Sequence, residues 1–346
     1  MTLLRVLIGR YSYFQAYFLA RGGAFISNIV KRLGLILLVL VVFIYVNNTS
    51  LFVNPSSEKP LLLAHRGLAQ TFPMEGITGD TNTAAIIYEP EHPYLENTIA
   101  SIEAAFAAGA DIVELDIHPT ADGHFVVFHD WILEYRTDGH GVVREHSLQE
   151  LKQLDVGYGY TADNGKTYPF RGKGVGLMPT LDEVLAEFPG ESLLIHIKSN
   201  DPQEGLLLAQ FLAELPQERL ELLSVFGGDD PIAVLQDELP ELRVMSREML
   251  TSALLRYMLI GWTGYVPEAI HNKEIILPLQ YARFLWGWPH RFIERMEKVN
   301  TRITVVAGDG QWSEGFDTIG DLEQLPENYT GGIWTNRIDR IAPVFE

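Results

Sequence analysis

The 346-residue chain contains no cysteine. Disulfides, thiolate catalysis and zinc–thiolate sites are therefore excluded. Positive charge is scarce as well: 26 Lys and Arg stand against 45 Asp and Glu, a net −19 at pH 7. The shortage is uneven. Residues 1–50 hold Arg5, Arg10, Arg21, Lys31 and Arg32 and no acid, which leaves −24 on residues 51–346. So acidic a body repels a phosphate backbone, and nucleic acid is not an expected partner. Divalent cations are tolerated. No internal repeat is visible, and no Gly-x-Gly-x-x-Gly follows the first strand-like run, which argues against an open dinucleotide-binding sheet. What the chain does have is 47% hydrophobic residues, enough for a sizeable core.

The longest apolar run is Leu33–Val46, LGLILLVLVVFIYV, directly after Lys31-Arg32. Alone it is short for a bilayer span of about 20 residues, and NNTSLFV extends it to Val53. An uncleaved anchor, a cleaved signal peptide and a buried helix all share this pattern. The long N-terminal stretch before the run and the lack of a small-x-small cleavage site favour the anchor. Bases on its N-terminal side keep that end cytoplasmic. The expected topology is single-pass, with the folded domain on the periplasmic or luminal side. Residues 11–30, aromatic and basic, suit the membrane interface. The expected organisation is an N-terminal basic segment and anchor over 1–53, a linker over 54–60 and one folded domain over 61–346.

Beyond the linker, short apolar runs alternate with helical patterns. Strands are expected at 61–65, 111–117, 125–129, 193–198, 220–226, 242–246, 275–279, 303–307 and 332–335. Helices are expected at 98–108, 148–154, 181–188, 204–215, 231–238, 249–260, 284–299 and 322–325. Thr180-Leu-Asp-Glu183 reads as a capping box. The alternation implies a parallel sheet with helices outside, and the length suits one α/β domain of the (β/α)8 TIM barrel class. One connection breaks the rule. IHPTADGH, between Asp116 and Phe125, is a hairpin signal that brings His129 back toward Glu114 and Asp116.

Polar residues end several strands: His65-Arg66, Glu114-Leu-Asp116, His129-Asp130 and His196-Ile-Lys198. Alternation along a strand puts Glu114 and Asp116 on one side, and His196 and Lys198 on one side. Two carboxylates at that spacing suit a hard divalent cation such as Mg²⁺ or Ca²⁺. A solvated edge or an ion pair with Lys or Arg reads the same, but the apolar strand IVELDI demands a counterion. His65 and His129 form a candidate acid–base pair, since imidazole titrates near neutral pH. Arg66 offers a phosphate fork and Lys198 a point charge, unless they are ion-paired to Glu114, Asp116 or Glu96. Metal, acid, base and anion clamp together suit phosphoryl transfer without a protein nucleophile.

The stretches AHRG and ENTIASIEAAFAAGADIVELDIHPTADGHFVVFHD resemble the glycerophosphodiester phosphodiesterase family. RTDGHGVV, LDVG, MPTLDEVLAEFP and LLIHIK agree with it. The resemblance is dense over 61–199 and thin beyond. It implies a (β/α)8 barrel, a divalent metal and cleavage of a phosphodiester to an alcohol and a phosphomonoester. By position, His65 and His129 match the family's general acid–base pair, and Glu114 and Asp116 its metal ligands. Arg66 and Lys198 match its phosphate-contacting bases, and Glu96 a residue at the rim of the metal site. The nucleophile implied is the substrate's own glycerol hydroxyl.

The chain departs from the family at four places. His196 stands where a ligating glutamate is usual; it remains a ligand but favours Zn²⁺ or Mn²⁺ over Mg²⁺ or Ca²⁺. The spacer Leu68–Leu95 is long, as a lid or substrate loop would be. Val305-Val306-Ala307-Gly308 and Thr335-Asn336 replace Trp-Thr-Val-Asn and Thr-Asp. The aromatic run YARFLWGWPHRF reads either as an ordinary helix on the barrel or as a rim for acyl chains or the bilayer. The expected function is metal-dependent hydrolysis of glycerophosphodiesters or lysophospholipids. A phospho-ligand-binding barrel without turnover, and a lysophospholipase D that forms a cyclic phosphate, are the alternatives.

Overall fold

Nine short apolar runs become nine strands in a computed structural model, which describes residues 28–54, 59–79, 81–308 and 314–346. They are β1 (Leu61–His65), β2 (Ile112–Pro119), β3 (Phe125–Val127), β4 (Ser192–Ile197), β5 (Leu223–Gly227), β6 (Arg243–Ser246), β7 (Glu274–Pro278), β8 (Arg302–Val306) and β9 (Gly332–Thr335). Eight pair in parallel in the order β6-β5-β4-β2-β1-β9-β8-β7. A single parallel bridge, Val244 to Lys273, joins β6 to the chain entering β7 and brings the ends of the sheet together. The result is a (β/α)8 barrel. The remaining strand, β3, returns antiparallel on β2, with Ile117 opposite Val127, as the Asp122-Gly123 turn predicts.

Strand alternation sorts the core. Leu62, Ala64, Val113, Leu115 and Ile117 face outward into the main core beneath the helices. Leu63, Ile112, Leu194, Val306 and Trp334 form a smaller cluster of their own. The residues left on the second face of β2 include Glu114 and Asp116, which is how two acids come to sit inside an apolar strand. A third cluster, with Ala84, Ile87, Leu95, Val126, Phe128, Tyr160 and Met178, lies under the irregular segments that precede Glu96 and follow His129. The C-terminal part of the spacer, at Ala84, Ile87 and Leu95, is thus packed on this small core.

Helix positions follow their caps. The box at Thr180 closes reciprocally with Glu183 and starts Leu181–Glu187. Three expectations need correction. Leu220 belongs to the short helix Gln217–Leu220 that follows Pro216, so β5 begins three residues later, at Leu223. The stretch 284–299 is not one helix: the chain makes the short helix Leu279–Ala282, turns through Gly287 at φ 85°, and restarts at His290 after Pro289. Both turn residues interrupt a helix, Pro by lacking its N–H and Gly by its left-handed backbone. The helix expected at 322–325 sits earlier, at Ile319–Leu322, because Thr318 and Asp321 supply its capping box.

The described residues fall into two units, one ending at Thr49 and one running Ser50–Glu346. In the first, Asn28–Asn48 is the one helix among the described residues long and apolar enough to cross a membrane. Its 21 residues span about 30 Å at 1.5 Å each, the thickness of a hydrocarbon core. The helix gains its length on the N-terminal side of the apolar run, through Lys31-Arg32, and not toward Val53. Asn48 Nδ2 donates to Ile44 O at 2.8 Å in its last turn. A signal sequence has the same length and composition. The interfacial reading of residues 11–30 falls, up to residue 27, outside the described residues, as do positions 55–58 of the linker.

Candidate active site

Register places the site residues at one end of the barrel. In the β1–β2 pairing His65 lies opposite Glu114. In the β2–β4 pairing Asp116 lies opposite His196. In the β1–β9 pairing Ala64 lies opposite Thr335, so Asn336 follows beside His65. His65, Arg66, Glu114, His129, His196 and Lys198 all line one cavity of about 380 Å³. The spacer loop contributes Phe72, Ile77 and Thr83 to its wall, and the segment after β3 contributes Trp131 and Tyr135. The spacer is therefore part of the site, as a substrate loop would be.

After His65 the backbone turns through left-handed conformations at Arg66 (φ 59°) and Gly67 (φ 77°). Any Cβ at Gly67 would meet Ser101 at 2.7 Å, so glycine is required there. The turn delivers Arg66 N to Glu114 Oε2 at 3.2 Å and the guanidinium to two more carboxylates. Arg66 Nη1 donates to Glu96 Oε1 at 3.1 Å, and Nε faces Asp116 Oδ2 at 3.2 Å. Asn97, also left-handed at φ 57°, clasps Asp116: its Nδ2 donates to Oδ2 at 3.0 Å and its Oδ1 accepts from Asp116 N.

Glu114, Asp116 and His196 form one group whose ligand atoms lie within 4.8 Å of one another. His196 Nδ1 is 2.9 Å from Asp116 Oδ1 and 3.8 Å from Glu114 Oε1. Its ring stacks on Phe226 at 4.1 Å. Glu114 Oε1 is buried with no hydrogen-bond partner. An orphaned carboxylate oxygen beside two further ligating groups fits a divalent cation. Burial, then the charge of Asp116, pushes Glu114 well above the usual carboxylate range. Burial pushes Asp116 the same way, but Lys198 and Arg66 outweigh it, with a hydrogen bond to His196, and hold Asp116 well below. Lys198 Nζ lies 3.3 Å from Asp116 Oδ1. Glu96 lies outside the group of three; its oxygens meet Arg66 at 3.1 Å and Arg136 at 3.3 Å.

The two histidines are held alike, each through Nδ1. His65 Nδ1 is 2.6 Å from Asn336 Oδ1. The Asn336 amide is oriented by Asp317, whose Oδ2 accepts from Nδ2 at 2.9 Å and whose Oδ1 accepts from the Asn336 main chain at 2.6 Å. With the amide oxygen turned to the ring, His65 Nδ1 must donate, and Nε2 keeps its lone pair. That Nε2 faces Glu114 Oε2 at 3.8 Å. His129 Nδ1 donates to Asp130 Oδ1 at 2.6 Å. Asp130 is in turn bound by Arg136, a guanidinium 2% exposed that also donates to Tyr160 Oη, Thr83 Oγ1 and Glu96 Oε2. Burial lowers both imidazoles well below their ordinary value, and Arg66 adds to it. His196 is lowered to about 4, by burial first and Lys198 next. All three rings are therefore neutral, with a nitrogen lone pair available at neutral pH.

Sequence reading did not single out Arg136 or Asp317, and it noted Asn336 only as a departure. Arg136 lies in the RTDGHGVV stretch, where nothing in the local pattern marks it as a partner of Asp130. Asp317 carries none, because its role arises only when β9 is laid against β1.

Comparison with known proteins gives the same fold. The chain is 31% identical over 212 residues to a glycerophosphodiester phosphodiesterase of Bacillus subtilis, covering 57% of this chain and 63% of that one. Several curated relatives are matched over less than two thirds of their length. Among solved structures, a glycerophosphodiester phosphodiesterase from Agrobacterium tumefaciens superposes with TM-score 0.54 at 25% identity, covering 82% of this chain and 99% of that one. A glycerophosphoryl diester phosphodiesterase domain from Mycobacterium tuberculosis superposes with TM-score 0.60 at 18% identity, over 83% and 100%. The model of the glycerophosphoryl diester phosphodiesterase family matches residues 65–261, more than half of the chain, and the chain belongs to that family.

Proposed function

We propose that this barrel is a metal-dependent phosphodiesterase that hydrolyses glycerophosphodiesters or lysophospholipids to an alcohol and a phosphomonoester. The observation that carries it is the orphaned Glu114 Oε1, grouped with Asp116 and His196 at the cavity that Glu114, His196, His65 and His129 line. Glu114, Asp116 and His196 would hold the ion. Two carboxylates and an imidazole make a donor set that Mn²⁺ and Zn²⁺ accept more readily than Mg²⁺ or Ca²⁺ do. When bound, a divalent cation supplies positive charge against the phosphate oxygens.

The chain's own residues do the rest. Arg66 and Lys198, though ion-paired to Glu96 and Asp116, bring positive charge to the same end of the cavity and would orient the phosphate through their remaining donors. His65 and His129, each with Nδ1 committed to a partner, present Nε2 as the exchanging atom. One removes the proton of the attacking hydroxyl, supplied by the substrate's glycerol or by water. The other protonates the leaving alcohol. Where the glycerol hydroxyl attacks, a cyclic phosphate forms as the alcohol leaves, and a water then adds to open it to the phosphomonoester. Glu96, shared between Arg66 and Arg136, is a structural counterion at the rim of the metal site. The helix Asn28–Asn48 anchors the chain in a membrane as a single span, with its N-terminus in the cytoplasm and the barrel on the periplasmic or luminal side.

Incubating the purified chain with glycerophosphocholine and with lysophosphatidylcholine, with and without chelator, tests the proposal. Choline or another alcohol should be released only with metal present. No release from any diester tried would overturn it.

A further inference from the structure

We propose that the outward face of the helix Arg247–Ile260, together with the segment that follows Leu279–Ala282, docks on the headgroup–acyl boundary of an anionic bilayer. The proposal rests on the anchor reading only in that the chain then lives at a membrane.

The outer face of a barrel helix is ordinarily polar. Here it is apolar: Leu255 is 57%, Met258 45% and Leu259 74% exposed. These positions are three and four residues apart, so they form one stripe. The neighbouring segment adds Phe284 at 64% and Trp286 at 36%. The two pieces are tied together. Trp286 Nε1 donates to Met258 O at 2.8 Å, and Tyr257 Oη donates to Trp286 O at 2.8 Å. The indole is thereby fixed beside the stripe, and the Arg283 guanidinium sits 5.2 Å over the Phe284 ring. An exposed patch of this kind marks an interaction surface.

Charge decides the occupant. Residues 249–266 and 279–292 contain Arg256, Arg283 and Arg291 and no acid, in a chain with 45 acids; Arg291 is paired to Glu294, so Arg256 and Arg283 carry the positive charge of the face. A basic, aromatic and aliphatic surface is complementary to anionic headgroups and like-charged with the same face of a second copy. Trp and Phe flanked by Arg are the side chains that settle at the interface, with the apolar face about 5–10 Å into the headgroup boundary.

The absence of native cysteine makes labelling clean. Leu259→Cys, Phe284→Cys and, on another wall, Glu218→Cys carry an environment-sensitive fluorophore in the full chain. The labelled protein is reconstituted in phosphatidylcholine vesicles with and without phosphatidylglycerol. At 259 and 284 emission should shift to the blue and be lost to spin-labelled lipid, more so with phosphatidylglycerol. At 218 it should not change. Arg256→Glu with Arg283→Glu should abolish the phosphatidylglycerol-dependent part. Flotation of the chain labelled at 218 reads the anchor separately. Floating protein without quenching at 259 and 284 overturns the docking face alone, and protein that neither floats nor quenches overturns both. A blue shift that persists in detergent and grows with protein concentration assigns the face to a second copy and overturns the proposal.

Discussion

Replacing Asn336 by alanine removes the acceptor that holds His65 Nδ1–H at 2.6 Å, and leaves the rest of the cavity wall in place. Asp317 keeps two donors, the Asn336 main-chain N–H at 2.6 Å and Thr335 Oγ1 at 3.1 Å, so the loop that carries it stays tied to β9. The His65 ring is then free to place its proton on either nitrogen and to turn. A hydrogen bond of this kind is worth about 0.5–1.5 kcal/mol net. Lost from the transition state, that is roughly a 2- to 13-fold fall in kcat. The fall is far smaller than the roughly 10²–10⁴-fold expected for His65→Ala, which removes the proton carrier itself. Asn336→Asp combined with Asp317→Asn keeps an acceptor for Nδ1 and a donor to orient it, and should recover most of the loss. The assay is kcat and KM on glycerophosphocholine, with nitrogen NMR of His65 to read the tautomer. A kcat for Asn336→Ala equal to the parent's, or a fall with the tautomer unchanged, would refute the reasoning.

Other perturbations follow from the same geometry. His129→Ala should also cut turnover by about 10²–10⁴-fold while leaving metal affinity in place, checked by steady-state kinetics and calorimetry. Asp116→Asn should weaken metal binding by more than about tenfold, the loss typical of even an outer-shell change; unaltered affinity removes it from the ligand set. Arg136→Met leaves buried Asp130 with only His129 and buried Glu96 with only Arg66 as partners, and should cost about 3–5 kcal/mol in urea unfolding. Glu91 is held at about 2 by hydrogen bonds from Arg337 and Arg340. A depressed carboxylate stabilises the fold above its ordinary value of 4.5, and that contribution is lost as pH falls toward about 2. Glu91→Gln should therefore flatten the acid limb of the stability curve, read by thermal melts between those pH values.

The strands were legible because each is a short apolar run bounded by turn residues, and β1 and β9 fall at the expected bounds. The parallel sheet followed from alternation, and the hairpin from Asp122-Gly123. Helix limits were less legible where apolar spacing continues across a break, as at Gly287 and Pro289. Site residues were readable when chemistry and local pattern coincide, as in Glu114-Leu-Asp116, where two acids interrupt a buried strand. Asn336 was not readable as a partner of His65. The two are 271 positions apart and meet only because Ala64 pairs with Thr335 across strands. Arg136 was missed for a related reason: its four charged and polar anchors lie on separate segments, at Thr83, Glu96, Asp130 and Tyr160. Register and long-range ion pairing carry information that no window along the chain contains.

The central claim is that a cation held by two acids and an imidazole sits within reach of both His65 and His129. A crystal structure of the chain soaked with Mn²⁺, read by anomalous scattering, tests it most directly. The account predicts one strong peak between Glu114, Asp116 and His196, at ligand distances of about 2.0–2.3 Å. A peak held by other residues, or none in crystals of a chain that still cleaves glycerophosphocholine in chelator, would contradict it.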